Sequence, residues 1–301
     1  MIKEYVRDIN RNKVKYILVL PVLIYLFVFH YRSMYGIVVA FQDYRPRAGI
    51  SGSEWVGFDN FLRFFNDRYF FRVFRNTLAI SFSTLVFAFP MPIILALMLN
   101  EVKDGIFKRC IQTITYLPHF VALVIICGLV TQFTMTNGLI TNICVFFGMD
   151  RQNMLLNKDF FYPIYIISGI WAAVGWDSII YLAALSGIDQ EQYEAARVDG
   201  ASRLKQIWHI TLPGILPTVS MKLILRMGHI VSVGREKILL LYNANTQEIA
   251  EVISTYNYQK ALIEADFSYS TAVGLFDTLI NLLFLLLSNK LAKKMGQSGL
   301  F

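Results

Sequence analysis

Lys222, Arg226 and His229 fall at i, i+4 and i+7 in the apolar run 214–233, so on a helix they share one face about 60° wide. Two carboxylates, Asp177 and Asp277, lie in other apolar runs, with Asn281 four residues beyond the second. A charge at membrane depth faces a partner or a water-filled cavity. The first chemistry open to this set is neutralisation, with Arg226 paired to one aspartate or to helix-end carbonyls. The second is recognition of a polar solute along a path lined by the same groups.

Catalysis is a poor fit. The four histidines (His30, His119, His209, His229) do not cluster in the sequence, so no metal site is expected. Cys110, Cys127 and Cys144 lack a CxxC spacing and read as packing thiols. No Ser–His arrangement is evident on the polar segments. A phosphate-binding GxxxxGK[ST] loop is ruled out because no glycine is followed by lysine.

A second polar constellation lies at 187–217. Gly187 suits a helix end, and Asp189 suits a new start with Gln192 three residues on, as in a capping box. Helix formers centred on Glu194, Ala195 and Ala196 run to Asp199-Gly200, where glycine takes a left-handed C-cap cheaply. Ser202 can cap a second short helix whose apolar face is Leu204, Ile207 and Trp208, with Pro213 and Pro217 closing the unit. The first helix lacks a wide apolar face, and Glu191, Glu194 and Asp199 would be repelled by an anionic leaflet. A groove on another protein is the expected partner.

The elements that carry these groups are membrane-like. The chain has 301 residues, 55% hydrophobic and 16% charged, with mean hydropathy +0.49; a soluble domain is about a quarter charged. A spanning helix needs about 20 apolar residues. Six segments qualify: approximately 14–31, 76–99, 111–133, 160–186, 214–233 and 268–289. The expected fold is therefore all-α, with six transmembrane helices and the polar hairpin between helices 4 and 5. The third and fifth are interrupted, by Pro118 and His119 and by the basic stripe. The basic N-terminus precedes an uncleaved first helix, since no A-x-A-like site follows it.

With the N-terminus inside, inner segments hold 14 Lys and Arg in 65 residues and outer segments 12 in 105. That bias places both termini and the hairpin in the cytoplasm. It also accounts for the net charge of +7, since no basic run interleaved with aromatics suggests nucleic acid. In the outer loop 31–75, Phe58, Phe61, Phe64 and Phe65 have helical spacing, with Asp59 or Asn60 as a cap. An interfacial helix is expected there, and no soluble module appears elsewhere.

The spacing E-A-A, three residues, G, nine residues, I-x-L-P is met by Glu194, Ala195, Ala196, Gly200, Ile210, Leu212 and Pro213. It resembles the EAA loop of permease subunits in binding-protein-dependent ABC importers. "LVLPVLIYLFVFHYRSMYGIVVAFQDY", "VGFDNFLRFF", "RNTL", "YLPHF" and "EKILLLYN…VISTYNYQKAL" extend the resemblance over the whole chain, towards the LplB-like branch of the maltose-permease type. Arg235 stands where that branch usually has an aromatic residue, and His229 where a small one is usual; both leave the substrate open.

The resemblance implies a single transmembrane permease domain over 1–301, with core helices approximately 76–289 and an N-terminal helix approximately 14–31, in a bacterial cytoplasmic membrane. It implies oligosaccharide import, with Glu194, Ala195, Ala196, Asp199, Gly200, Ile210, Leu212 and Pro213 coupling to the ATPase. Implied partners are a second, related permease, two ATPase subunits that carry ATP and Mg, and an extracellular solute-binding protein. This chain itself binds no cofactor. The solute path is then a sugar path lined by Arg226, His229, Asp177, Asp277 and Asn281, with Trp171, Trp176 or Tyr181 stacking on pyranose faces. Such a path would favour an acidic or heavily hydroxylated oligosaccharide. A secondary transporter or channel is the alternative, but two isolated aspartates and no repeat fit it poorly.

Overall fold

The computed structural model describes residues 11–296 and 299–300. Among them, six helices are long and apolar enough to cross a membrane. The chain packs as two compact units. One comprises residues up to Asp67 with Lys260–Leu275, and the other Arg68–Gln259 with Phe276 onwards.

In the first unit, α1 (Lys13–Phe41) is longer than the expected 14–31. From Lys13 to Tyr35 all its side chains are exposed, and the run 16–29 is apolar on every side, a surface suited to lipid. Strands β1 (Gln42–Asp43) and β2 (Glu54–Trp55) pair antiparallel, Gln42 opposite Trp55. Helix α2 (Asp59–Phe65) forms where the aromatic spacing predicts a helix, but neither Asp59 nor Asn60 caps it. Asn60 instead donates to the carbonyls of Ala40 and Gln42 at 3.0 and 3.1 Å, fixing α2 to the end of α1. Arg63 pairs with Asp266 at 2.7 Å.

In the second unit, α3 (Phe70–Glu101) is continuous apart from a kink at Phe89-Pro90. The expected span 111–133 is not one helix. Pro118 cannot donate to the helical ladder and restricts the residue before it, so α4 (Ile106–Tyr116) passes through a 3-10 turn at Leu117–Phe120 before α5 (Leu123–Thr134). A turn at 135–138 leads to α6 (Leu139–Phe146), and the stretch long and apolar enough to cross is Leu123–Phe146. Next comes α7 (Lys158–Ser186), 29 residues and about 43 Å long. Gly175 lets α4 reach it, since a Cβ there would stand 2.1 Å from the Thr115 carbonyl oxygen.

Helix α8 (Gln190–Val198) opens the hairpin. The second hairpin helix is continuous with the fifth span as α9 (Arg203–Met227). Pro213 and Pro217 therefore lie inside a helix and do not close the unit. Pro213 leaves the His209 carbonyl without its i+4 donor, and the helix widens to π geometry at Ile207–Thr211. α9 stops at Met227, short of 233, and residues 228–234 are irregular.

The segment 234–267, expected as an outer loop, is in part built into the core: Lys237, Ile238, Leu241, Thr246, residues 250–253, Thr255 and Tyr256 are buried. It contains α10 (Arg235–Leu241) and α11 (Ile253–Tyr258), and Ile238, Leu241, Ala250 and Val252 join the core with Ile126, Val130 and Phe161. Non-helical backbone buried in a membrane protein needs donors and acceptors from neighbours. Asn76 donates to the carbonyls of Glu248 and Glu251 at 2.8 and 3.0 Å, and Thr77 Oγ1 accepts the Ile253 N–H at 2.9 Å. Arg72 pairs with the buried Glu251. The chain ends in α12 (Phe267–Lys294).

Candidate functional site

Two regions gather the functional candidates. At the hairpin, Asp189 Oδ1 accepts the Glu191 N–H at 3.0 Å, while Gln192 completes no capping box. Gly200 has φ +73°, the left-handed conformation expected of it. Ser202 receives the Lys205 N–H at 3.5 Å, a weak cap. Tyr193 and Thr211 join their hydroxyls at 3.0 Å, and Gln206 Nε2 donates to Ala201 O at 2.9 Å, so α8 is held against the start of α9.

The signature residues divide by role. Glu194, Ala195, Asp199, Gly200 and Pro213 are exposed, and Ala196 is half-buried. Ile210 and Leu212 pack on a cluster of Ala96, Tyr181, Leu185, Ile188 and Ile215, rooting the hairpin in α3, α7 and α9. Val198, Leu204 and Trp208 are 89%, 69% and 67% exposed, an apolar surface without cover from this chain. Tyr181 is fully buried in the rooting cluster, so it offers no face to a solute.

At membrane depth, Lys222 Nζ lies 3.8 Å from Asp177 Oδ1. The expectation that Arg226 takes an aspartate is corrected: among the described residues no carboxylate lies within 4.0 Å of Arg226, which is exposed near the end of α9. His229 lies in the irregular segment, so the stripe of three is broken after its second member. Asn281 holds that segment. Its Oδ1 accepts the Val231 N–H at 2.9 Å, and its Nδ2 donates to Ser232 Oγ at 3.0 Å and Asp277 Oδ2 at 3.3 Å. Asp277 Oδ1 is buried with no hydrogen-bond partner among the described residues.

Trp176 stacks on His119, centroids 4.5 Å apart and planes 3° from parallel, with Phe120 edge-on at 5.4 Å. Trp171 is exposed but lies about 140° around α7 from Trp176, so the two do not share a surface.

His119 packs on an aromatic beside the Pro118 turn. Two features escaped the sequence reading. Gly169 faces the ammonium of Lys237, 3.0 Å from where a Cβ would stand. Lys237 itself, inside an apparent loop, is buried. Near the N-terminal end of α7, an open cleft of about 730 Å³ is lined by Asn157, Lys158, Asp159 and Asn245. Beside it the Lys158 ammonium, hydrogen-bonded to Glu248, holds that carboxyl below the usual range. On the short connection before α4, Lys108 does the same to Asp104.

A family model described as "Binding-protein-dependent transport system inner membrane component" matches residues 88–297. The polygalacturonan/rhamnogalacturonan transport system permease protein YteP of Bacillus subtilis (strain 168) is 47% identical over 300 residues, covering 99% of this chain and 94% of that protein. Protein LplB of the same organism is 43% identical over 299 residues, with 99% and 94% covered. Among solved structures, a chain of a bacterial alginate ABC transporter, in complex with an alginate pentasaccharide-bound periplasmic protein, superposes with TM-score 0.90 at 42% identity, covering 98% of this chain and 99% of that one. A chain of a bacterial ABC transporter involved in import of the acidic polysaccharide alginate gives TM-score 0.89 at 42% identity, with 97% and 99% covered.

Proposed function

This chain belongs to the family of binding-protein-dependent transport system inner membrane components, and we propose on that premise that it forms half of the path through an importer of acidic oligosaccharides. It is a transmembrane subunit of an ABC importer, a multi-pass membrane protein. The relatives named for polygalacturonan and alginate transport support an acidic sugar. The observation that carries the choice is Arg226, a cation in a spanning helix with no carboxylate within 4.0 Å among the described residues, one turn beyond a lysine that has one. A uronate supplies the missing anion. Arg226, His229, Asp177, Asp277, Asn281 and Trp176 are the path residues in this reading, with Trp171 at its margin.

The hairpin of Glu194 to Pro213 docks into a cleft of a separate ATPase subunit, which carries ATP and Mg and performs the hydrolysis. A second, related permease completes the path, and a solute-binding protein delivers sugar from outside. Both termini lie in the cytoplasm. Support comes from the surface of Val198, Leu204 and Trp208 and from the rigid seating of α8, which lets it move as a lever when its cleft moves. Uptake of neutral and uronate-bearing oligosaccharides by the assembled transporter tests the substrate. An Arg226→Ala, His229→Ala protein should lose uronate uptake more than neutral uptake, and equal transport of both classes overturns the assignment.

A further inference from the structure

Lys237 is 9% exposed in α10, and its ammonium donates to the Tyr165 carbonyl at 2.6 Å and lies 4.5 Å over the Tyr165 ring. Ser168 Oγ also donates to that carbonyl, at 3.2 Å. Among the described residues no carboxylate lies within 4.0 Å of Nζ. A buried charge is stable only when paired or fully hydrogen-bonded, and an ammonium has three donors to satisfy. The site is short of one anion.

Its position says which anion. Tyr165, Gly169, Ala172 and Trp176 fall within about 60° on the α7 wheel, so the ammonium stands at Gly169 on the face that carries the indole about 10 Å further along. His119 covers one side of that indole, yet Trp176 is 42% exposed. Gly169 keeps the approach to Nζ open, since even a methyl group there would stand 3.0 Å from it. A cation about 10 Å along the helix from a half-exposed indole suits a saccharide in which one ring meets the indole and another bears a carboxylate.

We infer that Lys237 is a specificity-determining residue of the path, its ammonium taking a carboxylate of the transported saccharide while a sugar ring passes the Trp176 face. This rests on the acidic-oligosaccharide reading above. A purely mechanical pin between α10 and α7 is the competing role, and it would treat all sugars alike.

The complete transporter, reconstituted with its partner subunits and binding protein, is given a galacturonate trisaccharide or its carboxyl-reduced neutral counterpart, each at concentrations that saturate the binding protein. Lys237→Gln should lower the acidic-to-neutral uptake ratio about tenfold or more, the scale of one charge-assisted hydrogen bond. Lys237→Arg should restore much of the ratio. Gly169→Ala leaves the lysine in place but crowds it, and should shift the ratio in the same direction as Lys237→Gln. An unchanged ratio, or equal loss of both sugars in the glutamine and alanine variants, overturns the inference while leaving the importer intact. A wild-type transporter that takes up only the neutral sugar overturns the underlying reading before any variant is made.

Discussion

Lys222 and Asp177 meet at 3.8 Å between α9 and α7. Asp177 lies nine residues above Ser186 and Lys222 ten above Leu212, so each stands about 14 Å from the hairpin end of its helix. The pair ties the helix that continues from the hairpin to its neighbour.

Removing one partner leaves the other charge alone in an apolar setting, whereas removing both leaves none. Both side chains are about a third or more exposed, so the coupling is modest, on the order of 1 kcal/mol. Thermal unfolding in detergent of Lys222→Met, Asp177→Asn and the double variant should give a double variant more stable than the sum of the singles. Strict additivity would mean that the two do not interact.

Asn76 supplies two donors to buried carbonyls, those of Glu248 and Glu251. Replacing it with leucine orphans both, and each unsatisfied buried group costs about 1–3 kcal/mol. Asn76→Leu should therefore loosen residues 242–252 first, seen as faster protease cleavage there while cleavage within the hairpin stays unchanged. Resistance equal to that of wild type would show that other donors hold the segment.

How much of this was legible in the sequence depended on what each residue has to touch. Apolar length yielded the number of crossings, because lipid asks only for a run of apolar groups, but it misplaced the third, which runs Leu123–Phe146 and not 111–133. The hairpin was legible for a different reason: Asp189, Gly200 and Ser202 act on backbone within three residues of themselves, so their types declare their roles. Lys237, Asn76 and His119 act over distance. Asn76 bonds residues more than 170 positions away, and no periodicity of its own segment points there. Residues 234–267 read as an outer loop because they hold charges and amides, while the groups that let their irregular backbone be buried include Asn76 and Thr77 from a distant helix.

Gly175 permits α4 to touch α7, and a Cβ there would lie 2.1 Å from the Thr115 carbonyl oxygen. Backbone cannot yield as a side-chain tip does, so Gly175→Ala should cost about 1–3 kcal/mol through forced separation of the helices. A fall of several degrees in the melting temperature of the purified protein would register it. The neighbouring Ala173→Gly, which adds no volume, should fall well short of that. A neutral Gly175→Ala would mean that the crossing is looser than its geometry.

The coupling signature makes a sharper prediction because its residues divide between an exposed surface and a buried root. Glu194 is exposed and without an ion pair among the described residues, so Glu194→Lys should leave stability within about 0.5 kcal/mol yet reduce co-purification of the ATPase subunit. Ile210 packs in the root, and Ile210→Ala should destabilise the protein by about 1–2 kcal/mol, less than a fully buried truncation. Gly200→Val joins both effects, since a β-branched residue at φ +73° costs about 1–2 kcal/mol or more and shifts the end of α8. Measuring melting temperature and ATPase retention on the same three variants separates the roles. If Glu194→Lys lowers the melting temperature as far as Ile210→Ala while retaining the ATPase, then the outward residues are structural and the docking surface lies elsewhere.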